Sequence, residues 1–110
     1  MINTTDLSEF EVLLPGSWIR TDTGEIYSFT TDRMELRDER LFKELYITDP
    51  KDGQKRRSLP YALTIEDDYC GILAGDQEFV INSITKHPDG SMDMEWKDRV
   101  NTLISFHRNM

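Results

Sequence analysis

Three side chains in this chain have the chemistry for nucleophilic or acid–base work: its one cysteine, Cys70, and its two histidines, His87 and His107. A cysteine nucleophile needs a base within hydrogen-bond reach and a neighbour that lowers its pKa. Cys70 instead precedes Gly71 in an apolar run, the setting of a small buried hydrophobe. His87 heads His87-Pro88-Asp89-Gly90, a hairpin turn by composition, and His107 falls on the outer face of the last predicted strand. As metal ligands the two histidines lack a third partner at any recognisable spacing. The reading therefore assigns no catalytic residue and no metal, and the chain is expected not to be an enzyme.

Carboxylates are plentiful, with 21 Asp and Glu, but most fall in turns or on the polar side of alternating runs. Asp67-Asp68 and the Asp49/Asp52 loop do not follow the spacing of a twelve-residue calcium loop. Gly71 and Gly75 are not followed by the residues of a phosphate-binding loop, so no cofactor is implied. The net charge of −8 repels phosphate backbones and anionic lipid, which argues against nucleic acid and membrane surfaces as partners. The basic run Lys55-Arg56-Arg57 reads as a solvated loop shoulder beside Asp52 and Gly53. No stretch approaches a membrane span, and Met1 to Phe10 has neither a basic nor an apolar signal region. With Met1 as the start and a single cysteine, the expected location is cytoplasmic.

The elements that would position these residues are short. At 110 residues the chain is expected to be one domain, 1–110, able to bury its own core. Leu7, Phe10, Leu13 and Leu14 share one helical face behind Thr5 or Asp6 as cap, predicting a short helix that Pro15 ends. From Ser17 onward, turn clusters recur at Asp22-Thr23-Gly24, Thr31-Asp32, 49–53, 66–68, Gly75-Asp76 and Pro88-Asp89-Gly90. Between them apolar residues alternate with period two: Tyr27 and Phe29; Met34 and Leu36; Tyr61, Leu63 and Ile65; Phe79 and Ile81; Met92, Met94 and Trp96; Ile104 and Phe106. Asp93, Glu95 and Lys97 fill the opposite face of the fifth of these. Asp38 to Ile47 carries Leu41, Phe42, Leu45 and Tyr46 at helical spacing, yet its place before a hairpin loop favours a strand. Pro60 is expected at a strand start, an edge or a bulge.

A short helix, Gly16-Ser17-Trp18 opening the first strand, and a meander of about eight strands ending in Arg108 resemble the small bacterial lipocalin-like proteins of the calycin class. The resemblance implies an all-β, up-and-down antiparallel barrel of about eight strands. It also implies that Trp18 lies across the closed end with Arg108 stacked over it, closing the barrel. The chain lacks the disulfides of the secreted members and is shorter than they are.

An eight-stranded barrel is either just filled by its own side chains or holds one small ligand. The inward set is bulky, so a mostly filled barrel with a shallow apolar pocket at the open end is expected. The first functional reading is a binder of a small apolar or aromatic ligand, lined by Tyr61, Trp96 and Phe106. The second is an acidic module, of inhibitor or immunity type, that meets a basic partner protein through its surface.

Overall fold

The structure, a computed structural model, describes residues 2–4, 10–37, 40–53, 56–66 and 69–109. Its strands are β1 (Ile2–Thr4), β2 (Gly16–Arg20), β3 (Ile26–Arg37), β4 (Arg40–Thr48), β5 (Arg56–Glu66), β6 (Tyr69–Ala74), β7 (Gln77–Lys86), β8 (Met92–Lys97) and β9 (Leu103–Arg108). Each strand from β2 to β9 pairs antiparallel with the next, and β9 returns to β2, so these eight close an up-and-down barrel. The short β1 adds to β7 beyond the stretch that β6 covers. Of the helix expected over Asp6 to Leu14, residues 6–9 lie outside the described residues. The remainder is a single turn, α1 (Phe10–Leu13). No helix among the described residues is long and apolar enough to cross a membrane.

The alternation predicts the core. Tyr27, Phe29, Tyr61, Ile81, Met94, Trp96, Ile104 and Phe106 are all buried, and Leu63, Phe79 and Met92 pack half-buried against them. The side chains of Met34, Leu36 and Ile65, also expected inside, lie outside the described residues. Met94 and Trp96 show the mechanism plainly: they point inward while Asp93, Glu95 and Lys97 stay partly exposed on the other face.

The stretch with helical spacing is the strand β4. Its spacing arises because β4 is apolar on both faces. Leu45 and Ile47 belong to the central core, whereas Phe42, of opposite parity, is buried outside that cluster. Pro60 is neither at the start of its strand nor at a register shift: it is the fifth residue of β5, opposite Glu44 of β4, and its other side is a local edge, because the ladder to β6 begins only at Tyr61. Its carbonyl accepts from Gly75 N at 2.8 Å, just past the end of β6. In an antiparallel ladder the N–H and C=O of one residue point to the same side. The missing donor of Pro60 therefore faces the β6–β7 turn, where the ladder has already ended, and costs little.

Because the strands alternate in direction, the β2–β3, β4–β5, β6–β7 and β8–β9 connections gather at one end. Gly16 and Arg108 belong to the other.

Candidate functional site

The closed end is built around Arg108. Its Cζ lies 4.0 Å over the Trp18 ring. Its Nη1 donates to Leu13 O at 2.7 Å, Nη2 to Leu14 O at 3.0 Å and Pro15 O at 2.9 Å, and Nε to Ser17 O at 3.2 Å. These carbonyls end the α1 turn and start β2, where backbone acceptors lack ladder partners. Trp18 is fully buried and donates Nε1–H to Leu14 O at 2.9 Å. Gly16 has a φ of +115°, and a Cβ there would stand 3.1 Å from Arg108 Nη2. Pro15-Gly16 thus turns the chain in a left-handed conformation that leaves room for the guanidinium.

The opposite end holds a cavity of about 590 Å³. Its floor is aromatic: Tyr27, Phe79, Trp96 and Phe106 line it, with Trp96 to Phe106 at 4.5 Å between centroids, Phe79 to Trp96 at 5.2 Å and Tyr27 to Phe106 at 5.0 Å edge-on. Such tilted and edge-on pairs add to the area they bury. Leu45, Ile47, Leu59, Ala74 and Ile104 complete an apolar wall. Trp96, Phe106 and Tyr27 are buried and Phe79 is half-buried, so the barrel is mostly filled and the cavity sits above its packed aromatic layer.

The rim carries both signs of charge, with Arg20, Arg57 and Arg99 against Asp76, Glu78 and Asp98. Arg20 is tied to both oxygens of Asp22, at 2.7 and 3.0 Å, and its Nη1 donates to the Tyr27 hydroxyl at 3.2 Å. The hydrogen bond to Asp22 raises the Arg20 pKa further and holds the Asp22 carboxyl below its usual value. Arg57 lies 3.4 Å from Glu25. Asp98 Oδ1 accepts from Val100 N and Thr102 N, both at 2.9 Å, fixing the β8–β9 loop with Val100 exposed at the rim.

Two of the expected lining residues, Trp96 and Phe106, face this cavity. Tyr61 is not among its lining residues; it is buried against Phe29, edge-on at 5.3 Å, and donates its hydroxyl to Thr30 O at 2.5 Å. Burial pushes the Tyr61 pKa up to about 12. Arg20 went unnoticed as a rim residue, although it shares the inward parity of Trp18 at the end of the same strand.

The histidines, seemingly unrelated in sequence, meet on one carboxylate. Asp93 Oδ2 contacts His87 Nε2 at 2.6 Å and Asp93 Oδ1 contacts His107 Nδ1 at 2.5 Å, while His107 Nε2 meets Asn109 Oδ1 at 2.8 Å. The bond to Asp93 raises the His107 pKa. Burial pushes the Asp93 carboxyl up, but the hydrogen bonds from His107 and His87 outweigh it and leave the carboxyl below its usual range. Among the described residues, no three His, Cys, Asp or Glu side chains are grouped to hold a metal ion. Cys70 is buried, and burial pushes its thiol to about 11, leaving it protonated at neutral pH.

Comparison of the chain with protein-family models, with curated proteins and with solved structures gives no match.

Proposed function

We propose that this chain is a non-enzymatic, lipocalin-like barrel that takes one small apolar or aromatic molecule into the cavity at its open end. The observation that carries this reading is the aromatic floor of Tyr27, Phe79, Trp96 and Phe106 beneath about 590 Å³ of space. That volume falls within the range of small-molecule sites, and predominantly apolar walls with a few polar groups are their usual lining. At the opposite end Arg108 stacks over the buried Trp18, which supports entry and exit of a ligand on one side. The GxW turn, the basic residue of the last strand and the eight-stranded closure support placing the chain with the calycins.

The neutral dye Nile red tests it: saturable one-to-one binding with enhanced emission is expected. Ala74→Phe, which adds a ring at the cavity wall, should weaken that binding at least about tenfold while the far-ultraviolet circular dichroism stays unchanged. Absence of saturable binding would overturn the reading.

A second reading, a surface that meets a basic partner protein, draws on Val100 and Leu103, which are 77% and 50% exposed beside the rim of a chain of charge −8. Such binding should weaken as salt rises, whereas dye binding in the cavity should not.

A further inference from the structure

The Trp96 indole nitrogen is buried and has no hydrogen-bond partner among the described residues. A donor left unmade in an apolar interior is costly, and natural proteins keep few of them. The Tyr27 hydroxyl, on another residue of the same lining, accepts from Arg20 at 3.2 Å. The two rings meet edge-on with centroids 6.4 Å apart. The carboxylates of the site, on Asp76, Glu78 and Asp98, belong to the turns and strand ends of the rim. The rim thus holds both signs of charge, whereas the Trp96 N–H at the floor has no partner among the described residues.

We infer that the cavity selects an apolar, flat molecule carrying a neutral hydrogen-bond acceptor, an aromatic ketone or ester oxygen, which enters oxygen first toward the N–H of Trp96. This rests on the ligand-binding reading above. Access is the first question, because the indole is only 1% exposed. The rings nearest to it are Phe106 and Phe79, and both also line the cavity. The side chains that cover the indole are therefore among those an entering ligand meets, and Phe79 is only half-buried. Charge decides between a ketone and a carboxylate. The guanidinium nearest the floor, Arg20, is already matched by both oxygens of Asp22, so a buried carboxylate would find no free counter-charge there.

The test compares methyl naphthyl ketone, ethylnaphthalene and naphthoate, near-isosteres that differ in the oxygen and its charge, by calorimetry and by the two tryptophan indole N–H resonances in heteronuclear NMR. The ketone should bind roughly five- to tenfold more tightly than the hydrocarbon and more tightly than naphthoate, and should shift the Trp96 N–H resonance downfield. In Trp96→Phe, whose loss of one resonance assigns it, the advantage of the ketone over the hydrocarbon should disappear, whatever change in affinity the two ligands share. Equal binding of ketone and hydrocarbon to the unmodified protein overturns the inference while leaving the ligand-binding reading intact. So does a ketone advantage that survives Trp96→Phe, which would mean that neighbouring ring faces already satisfy the N–H. Tighter binding of naphthoate overturns the choice of a neutral acceptor. If none of the three binds, and Nile red does not, both readings fall together.

Discussion

Arg108 holds Trp18 from above, its Cζ 4.0 Å over the ring, while its nitrogens collect four backbone carbonyls from 13–17. The stacking accounts for about 0.5–2 kcal/mol, so the larger loss on truncation comes from carbonyls left without a donor. Arg108→Ala should cost about 3 kcal/mol in denaturant unfolding. Arg108→Lys should recover less than half, because an ammonium cannot span the same acceptors. A double-mutant cycle with Trp18→Phe should give a coupling of at least about 0.5 kcal/mol; additive effects would show that the stacking is incidental.

Gly16 carries two demands at once, a φ of +115° and a 3.1 Å approach to Arg108 Nη2. Gly16→Ala should destabilise by about 1–3 kcal/mol. In Gly16→Ala/Arg108→Ala the steric part should vanish and the strain remain, so the double variant should be more stable than the sum of the single losses implies. Strict additivity in urea unfolding would locate the whole cost in the backbone.

The Asp93 pair makes stability depend on pH in a stated direction. His107 holds its proton more tightly folded than its ordinary value of 6.5 allows, so its contribution is full below that pH and fades as pH rises through the higher folded value. Asp93 is lowered, so its contribution is present above the ordinary carboxylate value and is lost as pH falls through the folded one. Between these limits both act. The melting-temperature gap between the native protein and His107→Asn, which keeps a neutral donor, should be widest at about pH 5–6 and should narrow toward about pH 9. A gap that is constant across that range would count against a charged His107.

Cys70 is buried, with its thiol raised to about 11. A thiol reagent at neutral pH should label it only as fast as the barrel opens, with a rate that rises with urea. Rapid labelling of the folded protein would contradict this burial.

Where apolar residues alternate, the sequence made inside and outside legible, since parity alone separates Met94 and Trp96 from Asp93 and Glu95. Parity says nothing about height along the barrel, which is why Tyr61, correctly inward, does not line the cavity. Height follows from strand stagger. From Phe29 to Glu35, six steps along β3 are matched by only three along β4, from Leu45 to Phe42; Thr31-Asp32, expected as a turn between strands, instead lies inside β3 where its register shifts. The convergence of His87 and His107 on Asp93 was hidden for a related reason. Asp93 and His107 are directly opposed only once β8 and β9 are in register, and His87 joins them from a turn.

The seam between β2 and β9 has two paired positions, Ile19 with His107 and Arg20 with Phe106, continued by Thr21, whose N and Oγ1 both donate to Ser105 O, and by the Arg108 bonds that span up to 95 residues of chain. Every other wall of the barrel is a hairpin or a short connection that can form as the polypeptide emerges from the ribosome. The ring itself cannot close until β9 has been made, because the partners of β2 lie on the barrel strand farthest from it along the chain. Until then β2 and β8 each present an open edge to other nascent chains. Closure is late and long-range, so it carries the loop-closure cost that slows folding. The interval between making β8 and releasing β9 is therefore the period in which this protein is most exposed to aggregation.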